Sequence, residues 1–551
     1  MLKNKLYQYG DDSGRIPAHI HFGKEVFDAM VKNKHITALI NADTGDQISY
    51  EEVAQMTADV ALSLTRIGVR KGEVVCICSE KIFEYLPTII GIMCAGATFS
   101  PTDPTYGSFP LLHRLKIVRP RVMFCSRNAY KTHKAVFEEV GSIEHYILYG
   151  DEEEPGTLLF KDFLTETCKL EDFEPVPVNG WEDVAFIVYS SGTTGLPKGV
   201  PVTHLAYCLN AQNIVPDDYT GIGIYSSREF YYTYGLMYAL ACLRVAATIV
   251  YNTSGGEKAM LEAVEKYKLK ILQLAPMIIT ELIKSAILDD YDLSSVEYVI
   301  SSSTYIREEA VNDIKRRIPS LKSVLQLYGM SEGGSICNEL LCTKGSKPGS
   351  SGVPGYGFII KVVDLETRKP LGPNQRGEIC IKGPSLMKAY LNNVSPECKD
   401  EDGFLKSGDV GYYDEDGYFF VVNRIKELIK YNDISIPPAE FEALLLQHPS
   451  VREVGVVGKP HHKHGELPVA FVVLQPGCKA SEDELVQHVD SRVTFRMRLA
   501  GGVRFIDRLP RGAGDKLDRR DLVQRLIDED KPDGNMDKPN GTVLNGVRDR
   551  M

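Results

Sequence analysis

The chain has 551 residues, 43% of them hydrophobic and 25% charged, with 63 Lys+Arg against 74 Asp+Glu for a net charge of -11 at pH 7. That length exceeds one ordinary core and predicts two or more domains, while the acidic balance excludes a general nucleic-acid or anionic-membrane binder, whose partners need a basic footprint. The longest apolar run, near Leu86 to Phe99, contains Pro87 and falls short of the ~20 residues of a membrane span, so no transmembrane segment is expected.

In chain order, the N-terminus Met1 to Leu6 is basic without an apolar stretch behind it, which speaks for a cytoplasmic rather than a secreted protein. Asp43 to Asp46 reads as a hairpin turn and Tyr50 to Ile67 as a helix with apolar residues at helical spacing. Val74 to Cys78 reads as a strand, Lys81 to Ala95 as a helix and Gly96 to Pro104 as a Pro-rich turn. A helix Pro110 to Val118 and a strand Val122 to Cys125 follow. Strands alternating with helices predict an α/β fold of parallel sheets covered by helices. The twelve cysteines are scattered without a C-x-x-C pair, a pattern of buried reduced thiols rather than zinc ligands or disulfides. His461, His462 and His464 flank Lys463 and read as a solvated turn.

The most informative stretch runs from Val188 to Val200. A buried strand, Val184 to Val188, breaks into hydroxyls and glycines at Ser190, Ser191, Gly192, Thr193, Thr194 and Gly195, and Lys198 follows Pro197. Hydroxyl and backbone N–H donors beside one ammonium are suited to wrapping phosphate oxygens. No Gly stands directly before Lys198 and no Ser or Thr after it, so the Walker-type ATPase reading falls. Further on come a helix His204 to Asn213, an aromatic cluster Phe230 to Gly235, a strand Tyr298 to Ile300, and the turn Gly403 to Asp409. After a strand Phe419 to Val422, a smaller α+β region alternates again: helix Pro438 to Gln447, strands Glu453 to Val457 and Ala470 to Leu474, a helix opened by Ser481 and Glu484, and strand Val503 to Phe505. Beyond Asp530 the composition is that of a disordered tail.

These residues resemble the adenylate-forming superfamily of acyl- and aryl-CoA ligases, peptide-synthetase adenylation domains and beetle luciferases. The resemblance extends from the phosphate loop through Tyr328-Gly329-Met330-Ser331-Glu332, Gly377-Glu378-Ile379, Ser407-Gly408-Asp409 and Asn423-Arg424-Ile425-Lys426 to Lys516-Leu517-Asp518-Arg519-Arg520, in the family's order. The insect luciferase-like fatty acyl-CoA synthetases look nearest. The resemblance implies a large domain of helix-covered parallel sheets with a β-rich subdomain at 1–422, a small mobile domain at 423–530 and a tail at 531–551. It implies that Ser190 to Gly195, Lys198, Ser302, Ser303, Tyr328, Ser331, Asp409, Arg424 and Lys516 bind the nucleotide. Within that set Tyr328 stacks on adenine, Asp409 takes the ribose hydroxyls and Arg424 reaches ribose or phosphate. Glu332 holds Mg²⁺, and Glu332, Lys198 and Lys516 are catalytic. Tyr232, Tyr234, Asn210 and Gly329 line the acid pocket.

The activity so implied is ATP-dependent, AMP-forming ligation of a carboxylic acid, taken as a medium- or long-chain fatty acid, to CoA through an acyl-adenylate, with Mg²⁺ as metal. Two alternatives stand beside it: a weak or inactive nucleotide- or acyl-binding paralogue, and a luciferin monooxygenase. The chain departs from the family's pattern at Tyr232, Asn210 and Ser301 to Ser303, and at Asp433 and Asp515, where relatives carry glycine. It ends Asp549-Arg550-Met551, which matches a Ser-Lys-Leu peroxisomal signal only in type at its last two positions.

Overall fold

The computed structural model describes residues 5–11, 17, 19–190, 197–302, 306, 308–393, 398–431, 434–461, 464–493, 498–512 and 516–529. The expected phosphate-loop residues Ser191 to Gly195, together with Ser303, Asp433, Asp515 and the tail 531–551, lie outside them. The chain divides into two compact units, Met1–Lys426 and Glu427–Met551.

Among the described residues the first unit holds three sheets, two of them largely parallel as the alternation predicted. A seven-stranded sheet runs Lys198–Thr203, Val184–Ser190, Thr98–Thr102, Val74–Cys78, Val122–Ser126, His145–Tyr149, Leu158–Leu159. A nine-stranded sheet has Gly223–Ser226, Thr248–Tyr251, Ile271–Gln273 and Tyr298–Ser302 in parallel register near its middle. A five-stranded antiparallel sheet, from Tyr7–Tyr9 to Phe419–Arg424, forms the β-rich part.

One apolar cluster joins the two large sheets. Ile77, Phe99 and Phe186 from the first and Leu39, Ile224 and Ile249 from the second pack with the helices Tyr50–Arg66, Tyr85–Cys94, His204–Ile214 and Thr233–Arg244. Helices buried on every side cannot carry a polar face, and each residue of Tyr85–Cys94 is buried. A Cβ at Gly91 would stand 2.7 Å from Val60, so this glycine sets the approach of Tyr85–Cys94 to Tyr50–Arg66.

Two local expectations need correction. The helix expected from Lys81 starts at Tyr85, because Pro87 is tolerated only in a first helical turn. The Pro-rich turn expected at Gly96 to Pro104 contains the strand Thr98–Thr102; its pairing with Val184–Ser190 is confined to Phe99, which leaves room for Pro101.

The helix Phe22–Lys32 opens on two histidine rings. His21 Nδ1 accepts from Lys24 N at 3.2 Å, His204 Nδ1 accepts from Phe22 N at 3.2 Å, and the rings meet edge to face at 4.8 Å. Only neutral imidazoles can accept at both places. Burial lowers His21 to about 4 and His204 to about 3, the neighbouring ring adding to the latter effect. Both folded values lie below the unfolded value of 6.5, so the stabilisation is complete above pH 6.5 and is lost as pH falls toward 4 and then 3. Between pH 7 and 5, where most carboxylates stay ionised, the urea midpoint is expected to fall by the equivalent of about 2 kcal/mol per ring. His204→Asn should flatten that slope, and a pH-independent wild-type midpoint would refute the argument.

The second unit is a sheet of Ile434–Ile436, Ile429–Tyr431, Gly465–Leu474 and Val451–His461, with Val503–Phe505 added in parallel. Its long hairpin extends well past the strands expected at Glu453 to Val457 and Ala470 to Leu474. The capping box of Ser481 and Glu484 forms as expected. Cys478 is exposed, unlike the buried thiols the sequence led one to expect.

Candidate active site

The strands Val184–Ser190 and Lys198–Thr203 pair antiparallel, and their register sets Lys198 opposite Ser190 at the base of the phosphate loop. Ser190 is buried, and its hydroxyl lies beside the Tyr390 phenol. On the other strand, His113 Nε2 lies 3.0 Å from the Pro197 carbonyl, which makes that nitrogen the donor. The helix Ser108–Val118 thereby holds the residue next to Lys198.

A second segment is shaped by glycine. The strand Ser323–Met330 turns into Gly334–Asn338, and a Cβ at Gly329 would stand 2.3 Å from the Gly334 carbonyl. Gly334 itself has φ +70°, and a side chain there would also strike Asn210. Asn210 is buried: its Nδ2 donates to Gly333 O at 2.7 Å and its Oδ1 accepts from Ser335 N at 2.6 Å. The side chain expected to line the acid pocket thus acts on the backbone that presents Ser331 and Glu332. Ser331 Oγ donates to Tyr189 O at 3.3 Å, tying this turn to the strand that leads into the phosphate loop.

Glu332 is only 7% exposed, and its Oε1 accepts from Tyr390 Oη at 2.7 Å. Lys198 Nζ lies over the same Tyr390 ring, 5.0 Å from its centroid. Burial, and then the Glu332 carboxylate, push the Tyr390 phenol above its ordinary pKa, so it stays a donor. Tyr390 was absent from the sequence-derived candidates. The available signal was one of two aromatics, Tyr390 and Phe404, between the strands Gly377–Lys382 and Leu405–Tyr413, which is faint without the fold.

On the nucleoside side, Asp409 and Arg424 are register partners in the antiparallel sheet. Arg424 Nε donates to Asp409 Oδ1 at 2.8 Å and Tyr328 Oη donates to Oδ2 at 2.6 Å. These three expected residues come from separate segments and meet at one carboxylate. Burial, followed by Asp409, raises the Tyr328 phenol well above its usual value.

The hydroxyl of Ser302, expected to face the base, donates to Leu327 O at 2.9 Å, and that of Ser301 donates to Leu274 O at 2.8 Å. Both are engaged with neighbouring strands. Tyr232 precedes the helix Thr233–Arg244, and burial, then Asp103, push its phenol up to about 12. Tyr234 has a buried hydroxyl that faces the Gln273 side chain.

Lys516 belongs to the second unit. Its carbonyl accepts from Gly512 N at 2.8 Å, and Leu517 bridges to Arg511. Just beyond, Arg519 donates to Glu442 Oε1 at 2.6 Å, Val456 O at 2.8 Å and Glu427 Oε2 at 3.2 Å. Arg519, which sequence reasoning gave no role, anchors the base of the lysine segment.

A divalent metal is testable against these donors. Among the described residues no group of three or more His, Cys, Asp or Glu side chains gathers as a cage. Mg²⁺ needs none, since one or two carboxylates with substrate phosphates suffice. The buried Glu332 carboxylate and the Ser190 hydroxyl are hard oxygen donors of the right kind.

Comparison with known proteins agrees with this geometry. Residues 26–391 match the AMP-binding enzyme family and residues 440–516 its C-terminal domain. The chain is 36% identical over 502 residues to a luciferin 4-monooxygenase of Nipponoluciola cruciata, covering 89% of this chain and 91% of that one. It is 32% identical over 532 residues to 4-coumarate–CoA ligase 1 of Petroselinum crispum, covering 94% and 96%. The crystal structure of ATP-bound MatB from Rhodopseudomonas palustris superposes with a TM-score of 0.82 at 25% identity, over 92% of this chain and 99% of MatB. With sheets, glycine-shaped turns and ordered motifs in agreement, the chain belongs to the AMP-binding enzyme family and has the adenylate-forming fold.

Proposed function

We propose that the chain is an ATP-dependent, AMP-forming acid–CoA ligase acting on a medium- or long-chain fatty acid. The observation that carries the reading is the meeting of Lys198, Tyr390 and Glu332 at the base of the phosphate loop, an ammonium and a hard carboxylate held by one phenol. The similarity to 4-coumarate–CoA ligase supports it. The acid carboxylate attacks the α-phosphate of ATP, the bond to the leaving pyrophosphate breaks, and an acyl-adenylate forms. The CoA thiol then attacks the acyl carbon, giving thioester and AMP and releasing the thiol proton.

In this scheme Lys198 and the hydroxyls from Ser190 to Thr194 offset triphosphate charge, and Lys516 balances the meeting of acid carboxylate and α-phosphate. Mg²⁺, when bound, supplies charge neutralisation at the phosphates, and Glu332 is its protein ligand. Tyr328, Asp409 and Arg424 hold the nucleoside. Aromatic residues Tyr232 and Tyr234 wall the acid pocket.

The similarity to luciferases favours a second reading, oxygen chemistry on a bound adenylate. One experiment separates them: purified chain with ATP, Mg²⁺, CoA and an acid panel including luciferin, read by pyrophosphate release, thioester mass and light. Pyrophosphate and acyl-CoA without light are expected. Light as the sole product favours the second reading, and silence in all three channels leaves a binding paralogue.

A further inference from the structure

The two arms of the phosphate-loop hairpin are held by successive residues of one helix. His113 of Ser108–Val118 binds the Pro197 carbonyl on the arm that carries Lys198, and Arg114 acts on the opposite arm. The Arg114 guanidinium lies over the rings of Tyr106 and Tyr189, 4.1 and 5.5 Å from their centroids, and its backbone carbonyl accepts from Tyr189 Oη at 3.3 Å. Tyr189 Oη also stands 3.1 Å from Ser100 Oγ. The Tyr189 carbonyl in turn takes the Ser331 hydroxyl, so one residue links the helix, the hairpin and the turn that carries Glu332. Its register partner is Gly199, where a Cβ would stand 3.1 Å from Ile117 of the same helix.

Arg114 is 7% exposed, and among the described residues no carboxylate pairs with its guanidinium. Nη1 donates to Pro110 O at 3.0 Å, while Asp103, the carboxylate of the preceding turn, accepts from Thr105 N and Oγ1 at 2.8 and 2.6 Å. The aromatic faces therefore offset a charge that a neutral side chain of equal length would avoid burying. Planar stacking on two rings also suits arginine rather than lysine. What the arrangement gains is a fixed Tyr189 directly before Ser190, whose register partner is Lys198.

We propose that Arg114 is a positioning residue for ATP: together with His113 it clamps both arms of the hairpin and presets the spacing of the Ser190 hydroxyl and the Lys198 ammonium for the triphosphate. Donors held in place before binding lose less freedom when the ligand arrives, so the clamp acts on affinity. The proposal rests on the ATP reading of this hairpin and adds to it two residues that act through Tyr189 and Pro197.

The test uses the full chain with ATP and Mg²⁺, read by calorimetric Kd, by KM and kcat for pyrophosphate release, and by a thermal midpoint for each variant. Arg114→Met should raise both Kd and KM for ATP by about tenfold, the scale of a desolvated cation on aromatic faces, and leave kcat and the acid KM within about threefold. Arg114→Lys, which keeps the charge without the planar face, should recover part of the loss. On the other arm His113→Leu should weaken ATP by about fivefold, the scale of one hydrogen bond, and His113→Gln should restore it, since an amide can donate to the same carbonyl. The His113 pair also covers the case in which Arg114→Met fails to fold. Folded variants with unchanged Kd and KM for ATP overturn the clamp, whatever their thermal midpoints, and so does an equal rise in the acid KM. If no acid is turned over, the ligase reading falls and calorimetry decides: ATP binding weakened by the variants upholds the clamp, and no ATP binding by wild type overturns it.

Discussion

Lys516→Ala is expected to depress acid- and ATP-dependent turnover by ~10²-fold or more, while thioester formation from a pre-formed acyl-adenylate keeps its rate. The ammonium's task is electrostatic: it lets an anionic carboxylate approach an anionic phosphate. Once the adenylate exists that repulsion is gone, and CoA attack has no use for the charge. The loss corresponds to about 2.7 kcal/mol of transition-state stabilisation, near the value of one well-placed donor. Local structure makes the experiment clean. The segment is held by the Lys516 backbone carbonyl and by Arg519 on Glu442 and Val456, contacts that alanine leaves in place. Assaying the two half-reactions separately provides the check. Equal damage to both would mean that Lys516 supports the fold of its unit and does not serve adenylation.

Glu332→Ala should abolish Mg²⁺-dependent pyrophosphate release, with at least a ~10²-fold drop, because the ion then loses its one assigned protein carboxylate. The residue is buried, contrary to the solvated loop carboxylate that sequence alone would picture, so stability needs its own argument. The substitution leaves the Tyr390 phenol without its carboxylate acceptor, but it also relieves the burial of a charge. Opposing effects of this size leave a net change of about 1 kcal/mol. Tyr390→Phe separates orientation from ligation: the carboxylate stays, its donor goes, and a drop near tenfold with a raised Mg²⁺ requirement is expected. Pyrophosphate release titrated against Mg²⁺, with a thermal midpoint for each variant, decides the matter. Wild-type Mg²⁺ dependence in Glu332→Ala would remove this residue from the metal site.

The alternation of short apolar strands with amphipathic helices, the Ser/Thr/Gly run before Lys198 and the order of the later motifs were sufficient to read the α/β class and the adenylate-forming family from the sequence. These are local signals: periodicity, turn chemistry and residue spacing all act within a few neighbours along the chain. Even there, Pro87 moved a helix start because it is tolerated only in a first turn, and Pro101 entered a strand because sheet pairing over long separations outweighs local preference.

Tertiary structure alone decided which side chains share a site. Tyr390 stands 58 residues beyond Glu332 and yet donates to it, and Asn210 reaches across 125 residues to hold the turn that presents Ser331 and Glu332. Lys81 begins a helix in the sequence reading; only the convergence of strand ends from two sheets buries it beside Phe230 and Tyr251. Such contacts leave no periodic trace. A hydrogen bond between distant residues constrains two positions in space, and the folded chain alone brings them within reach.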